Sequence, residues 1–128
     1  MAPLVHHLTL CVTDVERSAT WYQQLLGDAS VVDREGADFR RKRMNWPGGL
    51  VIGVTEFPHA PEVNRFTHLN AGLDHVGLGC SSEEEVRAWA AKIDQLGFTR
   101  GPVEEAPYGW AVTARDPDNI PIEFFCAK

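Results

Sequence analysis

The stretch His7-Leu-Thr-Leu-Cys-Val-Thr-Asp14, running on to Trp21, returns later as His75-Val-Gly-Leu-Gly-Cys-Ser-Ser82, running on to Trp89. Each copy opens with a histidine at the head of a short apolar run and turns at a polar patch. Each then reaches a tryptophan fourteen residues after its histidine. The offset is 68 residues in a chain of 128, so each copy fills about half of the sequence. A strand followed by an amphipathic helix, repeated once, implies two copies of one supersecondary unit. A histidine repeated with it points to a site where the two copies meet.

Working outward, residues 4–12 read as a strand and Val15–Leu26 as a helix. Asp14 is its N-cap and Gly27 its stop. Strands follow near 29–35, 38–45 and 50–57, separated by Glu35-Gly36 and Pro47-Gly48-Gly49. The order is β-α-β-β-β. Pro58, Pro61, Asn64, Asn70 and Gly72 break any period, so 58–72 reads as a linker. The order then repeats: a strand at 73–80, a helix from about Glu83 to Leu96 capped by Ser82 and stopped by Gly97, and strands near 102–106, 109–115 and 119–125. Module one covers about 1–57 and module two about 73–126 of a single α+β domain. Trp21, Leu25 and Leu26 on one helix, and Val86, Trp89, Ala90, Ile93 and Leu96 on the other, keep a 3.6-residue period. Trp21 and Trp89 therefore read as core anchors.

Strands alternate faces with period two. Leu8, Leu10 and Val12 should cover the first helix, leaving His7, Thr9 and Cys11 on the other face. Val76, Leu78 and Cys80 repeat the first set; His75, Gly77 and Gly79 repeat the second. Mid-strand glycines cost stability, so something needs the room they leave. In the last strand Ile120, Ile122 and Phe124 alternate with Pro121, Glu123 and Phe125. Glu123 is then a carboxylate among apolar neighbours, expensive to bury without a counter-charge. A cation removes that cost, and two histidines with one carboxylate can ligate one metal while leaving positions open. The bland readings are a satisfied strand-end histidine in each copy and a Glu123 paired with Arg115 or Arg43. The repeat is what favours a metal.

Composition narrows the class. The chain is 44% hydrophobic and 23% charged, with net charge -6. That balance belongs to an ordinary globular domain and argues against nucleic acid or an acidic membrane as partner. The basic run Arg40-Arg41-Lys42-Arg43 reads as a solvated strand face or edge. No apolar run approaches a membrane span and no targeting signal is visible. Three cysteines (Cys11, Cys80, Cys126) without a C-x-x-C pair suit reduced thiols and a cytoplasmic location.

With these residues in hand, the chain resembles the vicinal oxygen chelate superfamily, which includes glyoxalase I, bleomycin-resistance proteins, fosfomycin-resistance thiol transferases and extradiol dioxygenases. The resemblance rests on His7 to Tyr22 leading to Leu25-Leu26-Gly27, on Gly72-Leu-Asp-His75, and on Arg115-Asp-Pro-Asp-Asn-Ile-Pro-Ile-Glu-Phe-Phe125. It implies two tandem βαβββ modules forming a cup of mixed sheet with helices outside, and a homodimer. It implies a divalent metal (Fe, Mn, Ni, Co or Zn) on His7, His75 and Glu123. Aligning Pro47 with Pro117 puts Gly53 at the position matching Glu123, where glyoxalase I has a side-chain ligand. Glu56 has the opposite parity and is not counted. The remaining His/His/Glu set is similar to that of the thiol transferases and extradiol dioxygenases. The second-sphere histidine and tyrosine of the dioxygenases have as counterparts here only Tyr108 with His59 or His68.

Two functions follow. One is a metal-dependent enzyme acting on a small substrate chelated through vicinal oxygens. Tyr108, in the Pro107-Tyr108-Gly109 loop, is its candidate acid/base or orienting group, and Thr9, Cys11, Gly53, Trp110 and Phe125 are its candidate substrate contacts. The other is a bleomycin-resistance-type protein that sequesters an aromatic or cationic molecule against Trp46, Trp110 and Phe125. A purely structural or regulatory module is a third reading that nothing in the sequence requires.

Overall fold

The computed structural model of the chain describes residues 1–58, 61 and 64–128. It divides into two compact units, Met1–Asn64 and Arg65–Lys128. The first contains β1 (Leu8–Cys11), α1 (Val15–Leu26), β2 (Ser30–Glu35), β3 (Arg40–Asn45) and β4 (Val51–Glu56). The second contains β5 (Val76–Gly79), α2 (Glu83–Gln95), β6 (Glu104–Ala106), β7 (Gly109–Arg115) and β8 (Pro121–Ala127). Each is one four-stranded mixed sheet with one helix, in the orders β1-β4-β3-β2 and β5-β8-β7-β6. The first strand of each unit runs parallel to the last, and the other pairings are antiparallel.

Local chemistry sets the helix ends. The Asp14 carboxylate accepts from the Arg17 amide at 3.0 Å, and Ser82 Oγ from the Glu85 amide at 3.1 Å. Both satisfy donors that the first helical turn leaves unpaired. Gly27 ends α1 at φ +96° and Gly97 follows α2 at φ +71°, backbone that a Cβ disfavours. A second carboxylate clamps each start. Glu56 Oε2 accepts from the Val15 amide at 3.0 Å, and Glu85 accepts from the Ser81 amide and hydroxyl. Glu56 is thereby committed to the helix side of its sheet, as its parity requires.

α1 buries Val15, Trp21, Tyr22 and Leu25 over β3 and β4, where Met44, Ile52 and Val54 are fully buried. α2 buries Val86, Ala90 and Ile93 over β7 and β8, against Val112, Ala114, Ile122 and Phe124. Each fully buried Leu, Ile or Val contributes about 1.5–3 kcal/mol against exposure. Trp21 is a core residue, whereas Trp89 is half-buried and stacks on Phe124 at 4.4 Å between ring centroids.

Pairing moves some strand ends away from the apolar runs that announce them. β1 starts at Leu8, not residue 4, because its parallel partner β4 pairs Leu8 with Ile52 and gives no partner to earlier residues. Leu4 and Val5 are exposed. β8 runs to Ala127 because Gly109 pairs with it. The second unit starts at Arg65, so part of the expected linker belongs to it. Phe66 N donates to the Asp118 carbonyl at 2.9 Å, and Asn119 Nδ2 to the Phe66 carbonyl at 3.2 Å. The basic run Arg40–Arg43 is not at an edge: β3 lies between β2 and β4, and the order ends at β1 and β2. Among the described residues no helix is long and apolar enough to cross a membrane.

Candidate metal centre

Period-two alternation turns one face of each sheet to its helix and leaves the other open. In the second unit the open face carries His75, Gly77 and Gly79 from the β5 segment, Glu123 and Phe125 from β8, and Ala111 and Thr113 from β7. In register, Glu123 lies between Gly77 and Thr113. A Cβ built on Gly77 would meet nothing within 4 Å, so the glycine leaves open space beside the carboxylate.

His75 stands just before β5, after a bend at Asp74. The bend frees Asp74 from strand parity, and its Oδ1 lies 2.6 Å from His75 Nδ1. That hydrogen bond holds the Asp74 carboxyl below the ordinary carboxylate range. In the neutral imidazole, an Nδ1 proton given to Asp74 leaves the lone pair on the other ring nitrogen. This nitrogen, Nε2, faces Glu123 Oε1 at 3.8 Å. The separation exceeds hydrogen-bond length, so the two groups do not close on each other. Two ligands of one divalent ion, at bond lengths of about 2.0–2.2 Å, can span such a gap.

The Glu123 side chain is 25% exposed and that of His75 44%, so the carboxylate is partly solvated rather than sealed in a core. Arg115 does not pair with it: Arg115 Nη1 donates to the Asn119 carbonyl at 3.2 Å. A cavity of about 440 Å³ opens over this face, lined by His68, Asp74, His75, Thr113, Arg115 and Glu123 among others. Within each unit, among the described residues, no group of three or more His, Cys, Asp or Glu is placed to hold a metal. The second unit therefore offers two ligands, one oriented by a carboxylate.

The other sequence candidates fall as follows. His7 is exposed one residue before β1, with its Nδ1 at 2.9 Å from His6 Nδ1. Thr9 and Cys11 are exposed on the open face of the first sheet. Gly53 pairs with Thr9, and Glu123 with Gly77, which lies 68 residues after Thr9, so Gly53 and Glu123 match between the units. Gly53 is buried beneath Thr9: an added Cβ would stand 3.0 Å from Thr9 Oγ1. Tyr108 is exposed in the β6–β7 turn, its ring 6.2 Å from that of Phe125. Phe125 shares the face of Glu123 and covers Gly109, where any Cβ would run into its ring. Trp110 pairs with Cys126 and stands on the helix side, away from Glu123, with Lys128 Nζ 5.0 Å over its ring. Of the linker histidines, His68 lines the cavity and His59 lies outside the described residues. Asp74 is the group that sequence reasoning passed over. Its signal was the Asp-His pair at the head of a strand.

Comparisons with known proteins agree with this architecture. The family model described as the Glyoxalase/Bleomycin resistance protein/Dioxygenase superfamily matches residues 4–124. YaeR of Escherichia coli K12 is 29% identical over 126 residues, with 94% of each chain covered. The glyoxylase/bleomycin resistance protein/dioxygenase domain of Frankia sp. EAN1pec superposes with TM-score 0.89 at 28% identity, over 100% of this chain and 94% of that one. The fosfomycin resistance protein FosX of Listeria monocytogenes, crystallised with Mn(II) and sulfate, gives TM-score 0.73 at 21% identity, over 100% of this chain and 95% of its own.

Proposed function

Because this chain belongs to the Glyoxalase/Bleomycin resistance protein/Dioxygenase superfamily, we propose that it is a divalent-metal-dependent enzyme acting on a small substrate that chelates the ion through vicinal oxygens. The observation that carries the reading is the Asp74–His75–Glu123 arrangement: a carboxylate fixes the histidine tautomer, and the free nitrogen faces a second carboxylate across 3.8 Å. His7 is the candidate third ligand, from the same chain or from a second copy in a homodimer. Mn(II) is the first ion to test, because the FosX neighbour was crystallised with it; Fe, Ni, Co and Zn suit the same donors.

Bound there, the ion supplies Lewis acidity toward two substrate oxygens. The chain does the rest. Asp74 keeps the Nε2 lone pair of His75 directed at the site. Glu123 offsets positive charge on a face that is open to water. Thr113 and Arg115, which line the same cavity, bind and orient substrate oxygens. Tyr108, whose ring stacks on that of Phe125 at 6.2 Å, is the candidate group to give or take a proton. A non-catalytic aromatic binder is the second reading, favoured by the exposed Tyr108 stacked on the half-buried Phe125. The three thiols, unbonded to one another, suit a cytoplasmic enzyme.

Metal content of protein purified without an affinity tag, beside a Glu123→Ala variant, tests the proposal. Near-stoichiometric metal in the natural protein and its loss in the variant is the expected result. A natural protein that is metal-free and fails to take up Mn, Fe, Ni, Co or Zn would overturn the enzyme reading in favour of the aromatic binder.

A further inference from the structure

The basic run that composition left as a solvated strand is sorted by strand parity into two different chemistries. Arg40 and Lys42 point to the helix side and are neutralised there. Arg40 meets Glu56 at 2.9 Å and Glu16 at 3.3 Å; Lys42 meets Asp33 at 2.8 Å and Glu16 at 3.4 Å. Arg41 and Arg43 point to the open face, where β2 adds Arg34.

On that face the cross-strand rows are Thr9–Gly53–Arg43–Val32 and Cys11–Thr55–Arg41–Arg34, flanked by Val51, Asn45 and Ser30. None of these strand positions is Asp or Glu. Arg34 sits directly opposite Arg41, a like-charge pairing that costs stability in a sheet. Arg41 is turned aside, donating from Nε to Thr55 Oγ1 at 2.8 Å and lying 4.9 Å over the Phe39 ring. Among the described residues no carboxylate of this unit bonds Arg34, Arg41 or Arg43. Three arginines thus share one sheet face, with no carboxylate of their unit bonded to them, in a chain whose net charge is -6. Gly53 puts no side chain between its cross-strand neighbours Arg43 and Thr9, and Thr9 Oγ1 leans over it.

We propose that the open face of the first sheet is an oxyanion-binding surface. Its ligand is the carboxylate or phosphate-type group of a small molecule, recognised by Arg43 with support from Arg34, Arg41 and Thr9. Guanidinium matches such groups through paired hydrogen bonds and is less strongly hydrated than an ammonium. An anion there removes the like-charge cost that the bare face carries. Thr9 and Cys11, candidate substrate contacts of the proposed enzyme, belong to this same face, so its substrate class would be a small anionic molecule. That link rests on the metal reading, whereas the anion binding does not.

The test is calorimetric titration of metal-stripped full-length protein with inorganic phosphate, with acetate and with a short single-stranded oligonucleotide, at low and high salt. Variants are Arg43→Gln and, as a control of equal charge change on the exposed flank of α2, Arg87→Gln. Saturable binding of phosphate or acetate is expected. Affinity should fall about tenfold in Arg43→Gln, weaken as salt rises, and change less than about twofold in Arg87→Gln. Absence of saturable small-anion binding, equal losses in the two variants, or binding of the oligonucleotide alone would each overturn it. Metal uptake by Arg43→Gln, assayed in parallel, keeps the two proposals apart: anion binding without metal uptake sinks the enzyme and leaves this surface standing.

Discussion

The two units share one plan and differ most at the matched centre of their open faces. In the first unit the row Thr9–Gly53–Arg43 places a side chain on β1, nothing on β4 and a cation on β3. In the second, Gly77–Glu123–Thr113 places nothing on β5, a carboxylate on β8 and a hydroxyl on β7. The bulk has been moved by one strand and the charge has changed sign. The helix side of each sheet keeps the same job, burying apolar side chains under one helix. The duplication thus holds the scaffold constant where packing is dense and varies chemistry on the face where little is packed.

The most severe test of that comparison is to write one unit's row into the other. Gly53→Glu should cost about 1–3 kcal/mol in urea denaturation, because its Cβ would press on Thr9 Oγ1 and Cγ2 at 3.0 and 3.2 Å. Adding Thr9→Gly recreates the Gly77–Glu123 pair and should recover at least half of the loss. A silent Gly53→Glu would show that Thr9 does not fill the space.

A smaller effect is expected at Asp74, which has no counterpart before His7, where His6 stands instead. Asp74→Asn should weaken Mn(II) or Zn(II) binding about 10- to 100-fold in competition with a chromogenic chelator, with the fold intact. Unchanged affinity would mean that His75 is oriented by something else.

The smallest effect is in pH dependence, and its sign differs between the units. In the second, Arg100 holds the Asp94 carboxyl below its ordinary range, the Ser81 amide holds Glu85 down and Lys128 holds Glu105 down. A carboxylate whose folded pKa is lowered stabilises the fold above its unfolded pKa and loses that contribution as pH falls through the folded value. In the first unit Lys42 is raised, chiefly by its hydrogen bond to Asp33, so its contribution is present below the ordinary lysine value and lost as pH rises through the folded one. Acid below about pH 4 should therefore loosen the second unit before the first. The indole signals of Trp21 and Trp46 report one unit and those of Trp89 and Trp110 the other. If all four melt together in urea at every pH, the units unfold as one and the contrast fails.

Much of this was legible in the chain. Both helices begin where expected, because a cap is decided within three or four residues: Asp14 with Arg17, Ser82 with Glu85. The face assignments hold because period two is a property of a single strand. Strand ends were less legible, since pairing sets them: β1 is as long as its overlap with β4, whatever the hydropathy of Leu4 and Val5. At the site, the meeting of His75 with Glu123 followed from the repeat and the face argument. Asp74 did not, because parity would send a strand neighbour of His75 to the opposite side; the bend that cancels parity has no period to betray it. Of the two readings of the basic run, face or edge, only the edge fails, because the order β1-β4-β3-β2 is not the order of the sequence.

The bonds from Phe66 to Asp118 and Asn119 set where the chain can be cut. A fragment begun at residue 73, where the repeat starts, would lose the segment laid against the β7–β8 turn and with it His68 from the rim of the cavity. A fragment begun at residue 65 keeps both. In dissection, swapping or permutation of this protein, the repeat read from sequence starts eight residues later than the piece that travels as a whole.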